Sequence, residues 1–307
     1  MTENVLTILT PVFTLFLMIA AGFASAHFKM ISPRGAKQLI NLLLFVVNPC
    51  LIINAFYNTE YAPDKLTGLL WIGLCTVAAH TLAIVIGMFF FKKSDKKSLY
   101  RCAIVYSNCG FMALPLTKAV LGDEGVFYGA IFIVVSQIFL WTHGAVSMSG
   151  DIKNISVRKA LLNPGLVGSA LALVVFVFPV NFPAPVSGAL KMLADVNTPL
   201  AMLVIGVFIA RMKFSTLLKS RNLYIVSLLR LLVVPAVLLP LFYFLPISPL
   251  IFMASLIPAC APAAANVVLF SARFGKDEVE ASRIVTFTTV LSVFTMPVFI
   301  AIGQMLA

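Results

Sequence analysis

The stretch Arg101–Gly122, RCAIVYSNCGFMALPLTKAVLG, is long and apolar enough to cross a bilayer, yet it is interrupted halfway by Ser107-Asn108-Cys109-Gly110 and then by Pro115. In hydrocarbon, a backbone that gives up helical hydrogen bonds is tolerated only where protein, water or ligand replaces the missing partners. A break at membrane depth therefore marks a candidate binding site. The second half of the chain holds a counterpart, Ser255–Gly275, SLIPACAPAAANVVLFSARFG, with Pro258 and Pro262 at similar depth and Asn266 one turn further on. One broken span in each half is the arrangement of secondary transporters, whose substrate sites form at the midplane from discontinuous helices.

Composition agrees with a chain that lives in lipid. Its 307 residues are 61% hydrophobic and 11% charged, with a mean hydropathy of +1.04, outside the range of soluble globular domains. Met1-Thr2-Glu3-Asn4 lacks the basic start of a signal peptide, so the first apolar run, Val5–Phe28, is expected to stay as the first helix. The five cysteines all lie in apolar runs, with no CxxC pair and no histidine at ligand spacing, so neither a disulfide framework nor a metal site is indicated.

Cutting at polar clusters gives ten spans, 6–28, 36–56, 67–91, 102–121, 125–147, 162–181, 189–210, 222–245, 249–272 and 282–306. The net charge of +11 then explains itself. Of the 22 Lys and Arg residues, all but Lys65, Lys118, Lys191 and Arg230 fall in the odd-numbered connections or within two residues of them. By the positive-inside rule those connections are cytoplasmic and both termini face outward, so no nucleic-acid partner is needed. Connections are too short for a nucleotide-binding or catalytic domain.

Weak self-similarity appears about 150 residues apart. Val47-Asn48-Pro49-Cys50-Leu51 answers Val196-Asn197-Thr198-Pro199-Leu200, and Leu121-Gly122-Asp123-Glu124 answers Phe274-Gly275-Lys276-Asp277-Glu278. Five spans per repeat is an odd number, which forces the second half upside down. The expected fold is an all-α polytopic membrane protein of ten helices in two inverted five-helix repeats, 1–150 and 151–307, with broken, crossing helices four and nine.

In these segments the chain resembles the auxin efflux carrier family, which includes plant auxin exporters and bacterial permeases for malate, malonate and related acids. The resemblance covers the whole chain and rests on the ten spans, SNCGFMALPL at 107–116, NTPLAMLVIG at 197–206, and the proline-rich ninth span followed by ARFG at 272–275. It implies a fold similar to bile-acid sodium symporters, in which spans four and nine unwind and cross, and it implies a homodimer. The long cytoplasmic loop of many plant members is absent, so loop phosphorylation is not carried over, and neither is auxin as substrate.

The chemistry at the breaks follows from helix ends. A helix that restarts in the membrane presents free N–H groups and a partial positive charge, which favours a carboxylate. Span four is expected to restart around Met112–Pro115 and span nine near Pro262, since proline suits a first helical turn. Asn108, Cys109, Gly110 and Pro115 at one break, and Pro262 and Asn266 at the other, are the candidate substrate-binding residues. Asn48 and Asn197 join them by their repeat-related positions, with packing and ligand contact both open for these two. His80 and His143 are read as interhelical hydrogen-bonding groups. Lys118 and Arg230 are read as snorkelling towards helix ends. Asp195, the one acidic residue inside these span boundaries, is the candidate coupling residue if burial raises its pKa, whereas a first-turn position facing external water would remove that role.

The expected activity is a secondary carrier for small organic anions in the cytoplasmic membrane, with no cofactor and with coupling to protons or sodium left open. Two rivals are a channel and an intramembrane enzyme. The chain has no HExxH, no GxSG-type nucleophile motif and no paired intramembrane aspartates, which leaves catalysis without a nucleophile and base.

Overall fold

The computed structural model describes residues 2–154, 162, 164–178, 180–210 and 220–307. Among them the chain is all-helical, with no strand beyond one isolated bridge. The helices are α1 (Thr2–His27), α2 (33–57), α3 (Pro63–Phe89), α4 (Lys97–Val105), α5 (109–121) and α6 (123–149). They continue as α7 (Pro164–Val177), α8 (Ala184–Ala210), α9 (221–243), α10 (Pro249–Ala259), α11 (Asn266–Arg273) and α12 (Glu278–Leu306). Six helical stretches, 34–57, 63–89, 109–149, 184–210, 221–243 and 278–306, are long and apolar enough to cross a membrane, with shorter apolar helices beside them. The protein is therefore a multi-pass membrane protein. The helix limits follow the apolar runs to within a few residues.

Between α5 and α6 the chain turns at Gly122, whose φ of 69° lies in the left-handed region where a side chain is disfavoured. That turn joins what the sequence divides into a fourth and a fifth span.

The helices sort into two packed groups. One contains α1, α2, α7 and α8; the other contains α3 to α6 and α9 to α12, and the groups meet along α5, α6 and α12. In the first group α1 and α8 touch backbone to backbone. A Cβ on Gly206 would fall 2.0 Å from Ile19 O, and one on Gly22 would fall 2.1 Å from Leu203 O. In lipid there is no hydrophobic drive to bring helices together, so such close approach by small residues supplies packing energy instead.

On the side expected to be cytoplasmic, Asp277 ties two connections. Its Oδ1 accepts from Glu280 N at 2.9 Å and caps α12, and its Oδ2 accepts from Lys96 Nζ at 2.7 Å. Lys96 and the capping N–H hold the Asp277 carboxyl below its ordinary range. A depressed carboxyl stabilises the fold above its unfolded pKa, and that contribution is lost as pH falls through the folded value. Asp277→Ala is expected to cost about 1 kcal/mol through the lost cap. Asp277→Asn keeps the cap and loses only an exposed ion pair, worth less than about 1 kcal/mol. Thermal melting of the detergent-solubilised protein should rank wild type above Asn above Ala, with wild type and Asn converging in acid.

Candidate functional site

Proline explains why both interrupted helices open where they do. Pro115 has no N–H to give Phe111 O, and the first turn of α5 widens into a π-turn, Cys109–Ala113, in which Asn108 O accepts from both Met112 N and Ala113 N at 3.2 Å. The preceding helix, α4, stops at Val105, leaving Tyr106, Ser107 and Asn108 unwound. In the second half α10 stops at Ala259 and α11 starts at Asn266, with 260–265 unwound. The expected restart at Pro262 is thus corrected: Pro262 lies in the link itself, where only its carbonyl is needed. The first break, by contrast, restarts earlier than expected, at Cys109 rather than at Met112–Pro115.

The two unwound links satisfy one another. Ser107 and Ala263 form an antiparallel bridge, flanked by Asn108 N to Pro262 O at 2.8 Å and Ala264 N to Tyr106 O at 2.9 Å. Ala263 N donates to Thr288 Oγ1 of α12 at 3.3 Å. This accounts for most of the backbone that leaves the helices. Besides Ser107 N–H in the first link, what is left is at the restarted ends, where the N–H groups of Cys109, Gly110 and Phe111, and of Ala265 and Asn266, find no acceptor among the described residues.

The ends that stop are treated in the opposite way. Arg230, only 2% exposed, donates from Nε to Ala261 O at 2.9 Å, from Nη1 to Ile104 O at 3.0 Å and from Nη2 to Ala259 O at 2.6 Å. One guanidinium therefore caps the C-terminal ends of both α4 and α10. The snorkelling expected of Arg230 is overturned. The signal was present in the sequence, since Arg230 is the lone charge inside a proline-containing apolar run, five residues before a second helix-opening Pro235.

Around the breaks, Asn108 and Asn266 are partly exposed and neither side chain has a hydrogen-bond partner among the described residues. Cys109 and Pro115 are buried and Gly110 is half-buried. Asn48 Nδ2 donates to Gly110 O at 3.3 Å, Asn197 Nδ2 donates to Asn48 Oδ1, and Thr198 Oγ1 donates to Pro115 O at 3.4 Å. The two repeat-related asparagines are thus bonded to each other and to the first break, across the seam between the helix groups. Asn197 Oδ1 is left buried and unpaired. Beside this seam an apolar cleft is lined by Leu15, Ile19, Met112, Met202, Ser292 and Met296.

Of the other polar groups, His143 lands as expected and several do not. Tyr106 donates its hydroxyl proton to Phe139 O at 3.0 Å and so accepts from His143 Nδ1 at 2.8 Å, making His143 an interhelical bonding group at the break. His80 bonds within its own helix, Nδ1 to Thr76 O at 2.9 Å, and its Nε2 is buried without a partner. Lys118 is ion-paired with Asp123. Asp195 is not desolvated by the protein: its side chain is 50% exposed and its Oδ2 lies 2.6 Å from Lys191 Nζ, one turn away on the same helix face. Because α8 begins at Ala184, Asp195 is neither a first-turn residue nor a buried one. Sequence boundaries also hid a buried acid, Glu280, which lies inside α12, is 5% exposed, and accepts from Tyr100 and Ser220 hydroxyls at 3.3 Å each.

Comparison with known proteins fits this geometry. A family described as "Membrane transport protein" matches the chain twice, over residues 7–155 and 146–300. An uncharacterized transporter of Methanothermobacter thermautotrophicus is 23% identical over 310 residues, 97% of each chain. An uncharacterized transporter of Methanocaldococcus jannaschii is 26% identical over 207 residues, covering 64% of this chain and 67% of that protein. With its two halves each matched, the chain belongs to the membrane transport protein family, the auxin efflux carrier family.

Proposed function

We propose that the protein is a secondary carrier that moves small organic anions, such as malate, malonate or another carboxylate, across the cytoplasmic membrane by alternating access. Within this reading ten spans form two inverted repeats, 1–150 and 151–307, with both termini outside and the broken spans four and nine crossing at the midplane. The observation that carries it is the asymmetry of the four half-helix ends. The two C-terminal ends are capped by Arg230, while the two N-terminal ends keep free N–H groups beside the unpartnered carboxamides of Asn108 and Asn266. Each helix N-terminus is equivalent to about +0.5 charge, so the pair offers about +1, which matches one carboxylate. The two helix groups supply the moving parts: α3 to α6 and α9 to α12 carry the site past the tightly packed α1, α2, α7 and α8.

Purified protein in liposomes loaded with malate, malonate or lactate should show saturable counterflow of labelled carboxylate. Flux that never saturates would make it a channel, and preference for amines or sugars would contradict the electrostatic argument. Orientation is tested separately. Single cysteines replacing Ser94 and Glu60, placed in a background lacking the native cysteines, should label from the cytoplasm and from outside respectively. Swapped labelling would remove the inverted topology.

A further inference from the structure

The cation that many carriers take from solution to work their binding site is, we propose, built into this chain as the Arg230 guanidinium. The consequence is that carboxylate translocation here requires neither sodium nor another alkali cation. This inference rests on the carrier reading above and goes beyond it by naming what balances charge at the site.

Three observations carry it. First, the oxygens a bound alkali cation would need are the free carbonyls at the ends of broken helices, since unwound carbonyls and half-helix C-termini are where such ions are held. Here the carbonyls of Ile104, Ala259 and Ala261 are taken, each by a different nitrogen of one guanidinium. Second, the charges match: two helix C-termini amount to about −1 in total, and Arg230 supplies one full positive charge. A second cation at the same carbonyls would meet that charge at short range in a buried setting, where repulsion is poorly screened. Third, Arg230 has no carboxylate partner among the described residues. It is 2% exposed, so its charge is answered by the helix ends rather than by water or an acid.

Where Arg230 sits also matters for the transport cycle. It is on α9, in the same helix group as α4, α10 and α11. When that group moves, the counter-charge moves with it, loaded or empty. An alkali cation would instead have to be captured on one side and released on the other. Arginine suits a fixed post of this kind, because its planar fork satisfies several carbonyls at once and it does not lose its proton.

The test begins with the wild-type protein, which avoids any question of misfolding. Carboxylate counterflow in proteoliposomes is measured with sodium present, and again with all sodium, lithium and potassium replaced by choline. Equal rates are expected; counterflow that needs an alkali cation overturns the proposal. In wild-type membranes with no carboxylate counterflow under either condition, the carrier reading itself fails and takes this inference with it. Arg230→Gln keeps much of the volume and some donors but not the charge, and is expected to lose about tenfold or more in rate. Arg230→Lys should fall between Gln and wild type. In Arg230→Ala, added guanidinium or sodium is expected to restore part of the rate, a response that a purely structural role would not give. Full wild-type rate in Arg230→Gln would also overturn the proposal.

Discussion

Gly206→Leu is expected to leave almost no folded protein in the membrane. The Cβ alone would sit 2.0 Å from Ile19 O and 2.6 Å from Phe23 N, both backbone atoms of α1 that cannot swing aside as a side chain would. Relief requires α1 and α8 to separate along their whole contact, which forfeits the packing of a helix pair in backbone-to-backbone contact. Overpacking a tight contact commonly costs about 1–3 kcal/mol, and a backbone-limited one belongs at or above the upper end. That is a large share of a stability margin of about 5–15 kcal/mol. Gly188→Leu is the control: it lies on the same helix, and a Cβ there meets nothing within 4 Å. Size-exclusion profiles and melting of the solubilised proteins should show a monodisperse, near-wild-type Gly188→Leu and an aggregated or absent Gly206→Leu. Equal behaviour of the two variants would mean that α1 and α8 are not packed as described.

Much of this architecture is legible in the chain because its determinants are local. Proline and Asn-Cys-Gly inside an apolar run announce a broken helix from covalent geometry alone, and both breaks are where the sequence puts them. Basic residues on alternate connections, likewise, are read without knowing any contact. What escaped notice depends on direction and partner. Arg230 looks like a residue that could reach a helix end, and only the meeting of the ends of α4 and α10 shows that three carbonyls converge on it. Pro262 satisfies the rule for a first helical turn, but its carbonyl is worth more to the opposite link, and the restart moves to Asn266. Asp195 and Glu280 exchange expectations for the same reason. Depth along a helix can be counted from sequence, whereas the face presented cannot, so Asp195, whose burial the sequence left open, is half-exposed, and Glu280, which the span boundaries leave in a connection, is buried.

Asn108→Ala and Asn266→Ala should each weaken carboxylate binding while leaving the fold intact. Neither carboxamide is bonded to a described residue, so its removal strands no partner inside the protein. The links themselves are held by backbone groups, Asn108 N to Pro262 O and Ala264 N to Tyr106 O, which an alanine keeps. Stability should therefore change little. A hydrogen bond to a charged partner is worth about 1.5–3 kcal/mol. At 1.4 kcal/mol per factor of ten, each substitution is expected to weaken half-saturation for counterflow by about 10- to 100-fold. The double variant tests whether the two act on one ligand: if both reach the same carboxylate, their effects depart from additivity, whereas independent sites would add. Asn48→Ala is the contrasting case. It breaks the bond to Gly110 O and leaves Asn197 Nδ2 without its acceptor, so its cost should appear in the melting temperature before it appears in affinity. Unchanged half-saturation in both Asn108→Ala and Asn266→Ala would place the substrate away from the paired helix N-termini, and the charge argument for a carboxylate would lose its foundation.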